Sequence, residues 1–254
     1  MSDSPPQAGF HETPLPGFSL SEPATGPRKD EEDFRKHHRT RLRHRFMHGG
    51  ADAMPDYELL ELVLFRAIPR QDVKPLAKRL MNEFGDFNRV VAASAESLSR
   101  VSGVGSSVVE ELKIVEAAAH RMARTKIVGQ HVLSSWDALV AYCKTVMAYR
   151  QTEQFRILFL DVKNILIADE EQQKGTVGHV PVYPREVVKR ALELNASAII
   201  LVHNHPSGDC EPSQSDLTMT QQVCAAAGAL GIVVHDHLVI GKSREFSFRA
   251  EGLL

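Results

Sequence analysis

The chain has 254 residues, of which 43% are hydrophobic and 24% charged, and its formal net charge at pH 7 is −2. This ordinary globular composition excludes a wholly disordered chain, a collagen-like fibre and a disulfide scaffold, and the length suits one large or two small domains. The three cysteines form no CxxC pair, which argues against a thiolate zinc cage. Because no apolar run reaches the roughly 20 residues of a membrane span and the N-terminus lacks the features of a signal peptide, we expect a cytoplasmic protein.

The first 33 residues read as a disordered tail. Six of the 13 prolines fall there, and no periodic apolar pattern accompanies them. An acidic cluster at residues 30–33 then meets a basic block, Arg35–His48, which holds six Lys or Arg and no acid. Such a block favours polyanionic partners, or it forms a solvated and partly disordered linker.

From about residue 52 to residue 125 the apolar period is helical, and no strand alternation appears. Four segments carry it: DYELLELVLFRAI, VKPLAKRLMNEF, ESLSRV and SSVVEELKIVEAAAHRMAR. Pro55 or Asp56 is expected to start the first helix, Pro69 to follow it, and Gly85 to end the second. We therefore predict a small all-α domain over 34–125.

A glycine-rich turn lies between the third and fourth of these helices. The stretch LSRVSGVG, with Gly103 and Gly105, opens into the last helix and resembles a helix-hairpin-helix motif. In such a turn, backbone N–H groups at a helix N-terminus face a DNA phosphate without reading sequence. The alternative is an ordinary turn between two packed helices. Non-specific DNA binding through Gly103 and Gly105 is therefore a hypothesis.

Residues 131–254 mix strands and helices, which indicates one α/β or α+β domain. The predicted strands are RILFLDV, NILIADE, ASAIILVHNH and IVVHDHLVIG, and the predicted helices are SWDALVAYCKTVMAY, REVVKRALELN and SQSDLTMTQQVCAAAGAL. The segment KIVGQH, residues 126–131, is the predicted boundary.

The stretch AIILVHNHPSGDCEPSQSDL carries the strongest chemical signal. Because side chains alternate along a strand, His203 and His205 project from the same face at its end. Pro206 ends the strand, and Asp216 returns in the first turn of the next helix. Two imidazoles and one carboxylate suit a zinc ion with a fourth position open for water. Taken alone, each part has another interpretation. The two histidines could form a packed polar edge, and Ser213-x-x-Asp216 could be an ordinary helix cap.

Together, these residues resemble the JAMM motif of MPN-fold zinc metalloproteases, HxHPx(6)SxxD. The motif is matched by His203, His205, Pro206, Ser213 and Asp216. The fuller string HNHPSGDxxPSxxD, the stretch VYPREVVKRALELNA and the ending SFRAEGLL resemble the RadC family, over roughly residues 40–254. The resemblance implies an MPN-type mixed sheet flanked by helices, after a small all-α domain. It also implies one zinc ion per chain, held by His203, His205 and Asp216.

Two further residues receive roles from this resemblance. JAMM proteins use an upstream glutamate as general base and then acid, and the best match here is Glu153, just before a predicted strand. Glu170, Glu171 and Glu186 compete with it. Ser213 matches a hydroxyl that helps to stabilise the developing oxyanion, and it also suits a helix N-cap.

The resulting prediction is a JAMM-type zinc metallopeptidase that hydrolyses a peptide or isopeptide bond of unknown substrate. The alternative is a non-catalytic, DNA-associated module with a structural metal; a partner-binding scaffold is a third class. A second HxH, His235-Asp236-His237, is interpreted as a core pair or a support for the first site. Oligomeric state stays open.

Overall fold

A computed structural model describes residues 29–174 and 182–254 of the chain. Within these ranges the chain forms nine α-helices and one five-stranded sheet. The first six helices are α1 (Lys29–Gly49), α2 (Asp56–Ala67), α3 (Lys74–Phe84), α4 (Phe87–Ala92), α5 (Ala95–Ser99) and α6 (Ser106–Thr125). They pack around one cluster of buried side chains, which includes Leu42, Leu60, Leu80 and Leu112.

Proline and glycine set several helix ends where the sequence predicts them. Helix α2 begins directly after Pro55, whose extended backbone lies just outside the helix as its N-cap. Helix α3 ends at Gly85, whose φ of 100° is a conformation that other residues rarely adopt. Together with these end signals, the apolar period predicts helices α2, α3 and α6 correctly.

Helix α1 begins five residues before the predicted start of the helical region. Helix α1 runs from Lys29, so residues 29–33 are helical rather than part of the predicted tail, of which residues 1–28 lie outside the described ranges. Leu42 is buried against the neighbouring helices, and Arg45 forms an ion pair with Glu58 of α2 at 2.6 Å. The basic block is therefore a packed helix and not a free linker.

The second half is built on a mixed sheet in the order β2-β1-β3-β4-β5. Its strands are β1 (Gln154–Leu160), β2 (Leu166–Lys174), β3 (Ala198–Asn204), β4 (Val233–Ile240) and β5 (Glu245–Ser247). Strand β1 pairs antiparallel with β2 and β3, β3 pairs parallel with β4, and β4 pairs antiparallel with β5. Four of these strands were predicted, and the three-residue β5 was not.

Helices cover both faces of the sheet and bury the central strand β3 completely. Helix α7 (Trp136–Met147) packs with Ile200 and Val202 on one face. Helices α8 (Pro184–Glu193) and α9 (Gln214–Gly228) pack with Ile199 and Leu201 on the other. This arrangement confirms the predicted fold class, a helical region followed by a mixed sheet flanked by helices.

The structure also bears on the predicted boundaries and membrane behaviour. Helix α6 ends at Thr125, and a separate set of buried clusters begins at Ile127. The domain limits 34–125 and 131–254 stay predictions. Among the described residues, no helix combines the length and apolarity needed to cross a membrane.

Candidate metal centre

The end of strand β3 presents two histidines toward α9. Alternation along the strand places His203 on the same face as Ile199 and Leu201, and its side chain is fully buried. His205 follows one residue after the strand, where its backbone N–H still donates to the carbonyl of Ile240 at 3.2 Å. The Nε2 atoms of His203 and His205 lie 3.0 Å apart.

Helix α9 brings Asp216 to these imidazoles through a capping box. The Ser213 hydroxyl accepts from the Asp216 N–H at 3.2 Å, and Asp216 Oδ2 accepts from the Ser213 N–H at 2.7 Å and from its hydroxyl at 2.6 Å. The box orients the carboxylate so that Oδ1 lies 3.5 Å from Nε2 of His203. Ser213 is therefore a helix N-cap, and its role toward an oxyanion stays a prediction.

The fourth acidic or imidazole group of the site comes from the start of β1. Because β1 is antiparallel to β3, with Phe155 opposite His203, the residue before β1 lies beside the end of β3. That residue is Glu153. The buried side chain of Asn204 holds this segment: its Oδ1 accepts from the N–H of Gln154 at 2.8 Å, and its Nδ2 donates to the carbonyl of Thr152 at 3.2 Å.

Glu153, His203, His205 and Asp216 together form a group that could hold a metal ion, since one ligand atom of each lies within 4.8 Å of the others. The spacing suits such an ion. Two nitrogens at about 2.0–2.1 Å from a tetrahedral zinc ion lie about 3.3 Å apart, close to the 3.0 Å between the two Nε2 atoms. The carboxylate oxygens lie 3.5 and 3.7 Å from these nitrogens.

The side chains of the site shift one another's pKa values. Burial would raise the pKa of Asp216, but the imidazoles of His203 and His205 and the hydroxyl of Ser213 outweigh burial and hold that pKa well below its usual range. The Asp216 carboxylate raises the pKa of His205, against the opposing effect of burial. The Asp216 carboxyl is therefore ionised at neutral pH.

An open groove of about 560 Å³ reaches the site. Glu153 and Asp216 form part of its wall, and most of the remaining lining is apolar or amide in character: Phe155, Val182, Tyr183, Gln214, Met219 and Gln222. Tyr183 is more than half exposed. A substrate segment in this groove would lie against both carboxylates.

Comparisons with known proteins place this geometry in a family. Residues 35–109 match the model described as UPF0758 N-terminal, and residues 133–253 match the RadC-like JAB domain. A UPF0758 protein of Ruegeria pomeroyi is 69% identical over 217 residues, which cover 85% of this chain and 97% of that protein. A UPF0758 protein of Rhodobacter capsulatus is 71% identical over 213 residues, which cover 84% of this chain and 100% of that protein. The chain belongs to the UPF0758 family. The predicted RadC resemblance is thereby confirmed.

The three competing glutamates of this UPF0758 chain lie elsewhere. Glu170 pairs with Arg190 at 2.6 Å, Glu171 lies 3.7 Å from Arg156, and Glu186 lies 3.1 Å from Arg185. None of the three belongs to the group around His203, whereas Glu153 does. The assignment of Glu153 as the general base stays a prediction.

The two histidines of the second HxH motif, His235 and His237, have different hydrogen-bond partners. His235 bonds the side chain of Asn164 at 2.6 Å, whereas His237 is fully buried and contacts Nδ1 of His203 at 2.7 Å. Burial lowers the pKa of His237 well below its usual value, and the charge of His203 adds to this effect. The sequence interpretation of His237 was a core residue or a support for the first site, and it assigned Asn204 no role, because a polar residue at a buried strand position was the only signal there.

The glycine turn of the UPF0758 N-terminal region joins α5 to α6. Gly103 has a φ of 92°, and Gly105 is the N-cap of α6, with no side-chain hydrogen bond to the helix end. Arg79 packs over this turn and donates to the carbonyl of Ser102 at 3.1 Å. DNA binding by Gly103 and Gly105 stays a prediction.

Proposed function

We propose that the RadC-like JAB domain of this chain is a zinc-dependent hydrolase that cleaves a peptide or isopeptide bond. The supporting observation is the convergence of two imidazoles and two carboxylates within 4.8 Å, at the wall of an open groove. Three protein ligands and one open position are typical of catalytic rather than structural zinc sites.

His203, His205 and Asp216 would hold the ion, one per chain. Imidazole nitrogens together with one carboxylate form a set that zinc binds readily, whereas magnesium and calcium prefer oxygen ligands. When bound, zinc supplies polarisation of a substrate carbonyl and makes water nucleophilic near neutral pH.

The remaining steps belong to side chains of the protein. Glu153 accepts the proton of the attacking water and delivers it to the leaving amine, because its carboxylate lies beside the ligands but is not required to complete the metal-binding set. Asn204 fixes the backbone on both sides of Glu153. Ser213 would turn its hydroxyl from Asp216 to the developing oxyanion.

The test uses the full chain loaded with zinc and a mixture of linear peptides and peptides branched through lysine Nε isopeptide bonds. Mass spectrometry of newly released amines should show cleavage by the wild type. Glu153→Gln should keep its zinc and lose at least about 100-fold in rate, in line with general base catalysis. Glu186→Gln is the matched control and should cleave normally. Equal cleavage by Glu153→Gln and the wild type would refute the assigned base.

A second candidate function, non-specific binding to the DNA backbone, is favoured by the start of α6. Its first turn lacks a side-chain cap, and Gly105 lines the same cavity of about 540 Å³ as the exposed Arg70. A mobility shift with duplex DNA should weaken steeply as salt rises, and Arg70→Glu should weaken it further. Absence of any shift at low salt would exclude this candidate.

A further inference from the structure

We infer that Thr220 and His237 are positioning residues for the metal centre, which hold His203 in the tautomer whose Nε2 carries a free lone pair. The inference deepens the proposed function and rests on its metal-binding part.

The geometry is a chain of three short contacts behind His203. Nδ1 of His203 lies 2.7 Å from Nε2 of His237, and Nδ1 of His237 lies 2.6 Å from the hydroxyl of Thr220. That hydroxyl lies 2.6 Å from the backbone carbonyl of Asp216. Thr220, His203 and His237 are all buried, so the chain is shielded from solvent.

The carbonyl at one end fixes the direction of the two hydrogen bonds that the Thr220 hydroxyl makes. A carbonyl oxygen can only accept, so the Thr220 hydroxyl donates to Asp216 and accepts from Nδ1–H of His237. The His237 side chain is fully buried, and burial disfavours a charged ring, so a neutral His237 that donates through Nδ1 has no proton on Nε2. That atom therefore accepts from Nδ1–H of His203. The Nε2 of His203 is then the atom with the free lone pair, and it faces the site.

A different hydrogen bond orients the ring of His205. Its Nδ1 lies 2.8 Å from the carbonyl of Asp209 and donates to it, so in the neutral ring Nε2 is the acceptor atom. Two acceptor nitrogens 3.0 Å apart repel each other unless a cation or a proton lies between them. The bonds behind both rings therefore prepare two Nε2 atoms for one metal ion.

Two phenylalanines keep the rings of this chain in place. Phe248 stacks on His237 with ring centroids 4.5 Å apart, and Phe155 stacks on His203 at 6.0 Å. Asp216 links the two ends of the arrangement, since its carboxylate faces the histidines while its backbone carbonyl receives the Thr220 hydroxyl. Removal of the hydrogen-bonded partner of a ligating histidine commonly lowers metal affinity by about 10–100-fold.

The test compares two substitutions of Thr220 in the full chain. Thr220→Val keeps the shape but removes the hydroxyl, and we expect zinc affinity, measured by competition with a chelator, to fall at least about tenfold. Thr220→Ser restores the hydroxyl and should bind zinc within about twofold of the wild type. His237→Leu should weaken binding as well, whereas His237→Gln, whose amide oxygen can accept from His203, should recover part of it. Circular dichroism of each metal-free variant checks that it folds.

A spectroscopic measurement reads the tautomer directly. Correlations between ring ¹⁵N and ¹H nuclei should show His203 protonated at Nδ1 and not at Nε2, in both the metal-free and the zinc-loaded wild type. A proton on Nε2 of His203, or equal zinc affinity for Thr220→Val and Thr220→Ser, would overturn the inference. Failure of the proposed hydrolysis is a distinct result, because it would leave both zinc affinity and the His203 tautomer as described.

Discussion

The carboxamide of Asn204 bonds the backbone on both sides of Glu153. It accepts from the N–H of Gln154 at 2.8 Å and donates to the carbonyl of Thr152 at 3.2 Å. The residue between the two histidines of the motif therefore fixes the position of the proposed general base. The end of one strand thus holds both histidines proposed as ligands and also positions Glu153 beside them.

Replacement of Asn204 should separate metal binding from hydrolysis. Asn204→Ala removes both bonds, one of them to the backbone N–H of the buried Gln154, which should lower the free energy of unfolding by about 1–3 kcal/mol. Zinc content should remain near one per chain, while the cleavage rate falls because Glu153 is less well placed. Elemental analysis, denaturant unfolding and the peptide assay measure the three effects. Loss of zinc together with activity would contradict this separation.

A buried ion pair beneath the edge strand should matter for stability. Arg156 lies 2.9 Å from Asp169, whose side chain is 2% exposed and also accepts from the hydroxyl of Tyr142. Burial raises the pKa of Tyr142, and the charge of Asp169 raises it further. Asp169→Ala should lower the free energy of unfolding by about 3 kcal/mol, because it removes the partner of Arg156, whose side chain is only 15% exposed, and of the Tyr142 hydroxyl. Denaturant unfolding measures this loss.

An exposed pair offers the matched control for this substitution. Arg100 and Glu96 form an i,i+4 contact on α5, and both side chains are more than 70% exposed. Glu96→Gln should leave the unfolding midpoint nearly unchanged, since surface pairs contribute little. An equal effect of Glu96→Gln and Asp169→Ala would show that burial does not set the strength of these pairs.

The imidazole of His120 on α6 should make stability depend on pH. Burial lowers the pKa of His120, with Arg150 and Arg156 adding to the effect and Glu116 opposing it. Since the folded pKa lies below the unfolded value of about 6.5, the unfolded chain takes up the proton first as pH falls. The contribution of His120 is therefore complete above pH of about 6.5 and is lost as pH falls through the lowered pKa.

Urea unfolding at a series of pH values measures this contribution. The free energy of unfolding should fall more steeply between pH of about 7.5 and 5 in the wild type than in His120→Gln. The difference between the two proteins removes the effects of groups that they share. Parallel pH profiles would show that the His120 ring titrates alike in the folded and unfolded chains.

Much of the fold could be predicted because local signals agree with the tertiary structure. Pro55 and Gly85 set helix ends by backbone geometry alone, and the apolar run of β3 is buried on both faces. Helix α4 was missed because six residues hold too little periodicity, although Asp86, which accepts from the N–H of Arg89, is a local capping signal. Strand β5 is shorter still and depends on its pairing with β4.

The candidate site likewise combines residues that local sequence signals predict with residues whose roles those signals do not predict. The spacing of His203, His205 and Asp216 predicts a shared position, because strand alternation and a capping box are local features. Asn204 and Thr220 act through partners 50 and 17 residues away in the chain. No periodicity in one sequence encodes such contacts, so their roles emerge only from the folded arrangement.

Metal content of the purified full chain tests the central claim most directly. Elemental analysis after dialysis against trace zinc should find about one zinc per chain in the wild type and almost none in the double variant His203→Ala, His205→Ala, while both proteins keep the same circular dichroism spectrum. Wild-type protein that holds no zinc, or a double variant that retains it, would contradict the assignment of these histidines as metal ligands.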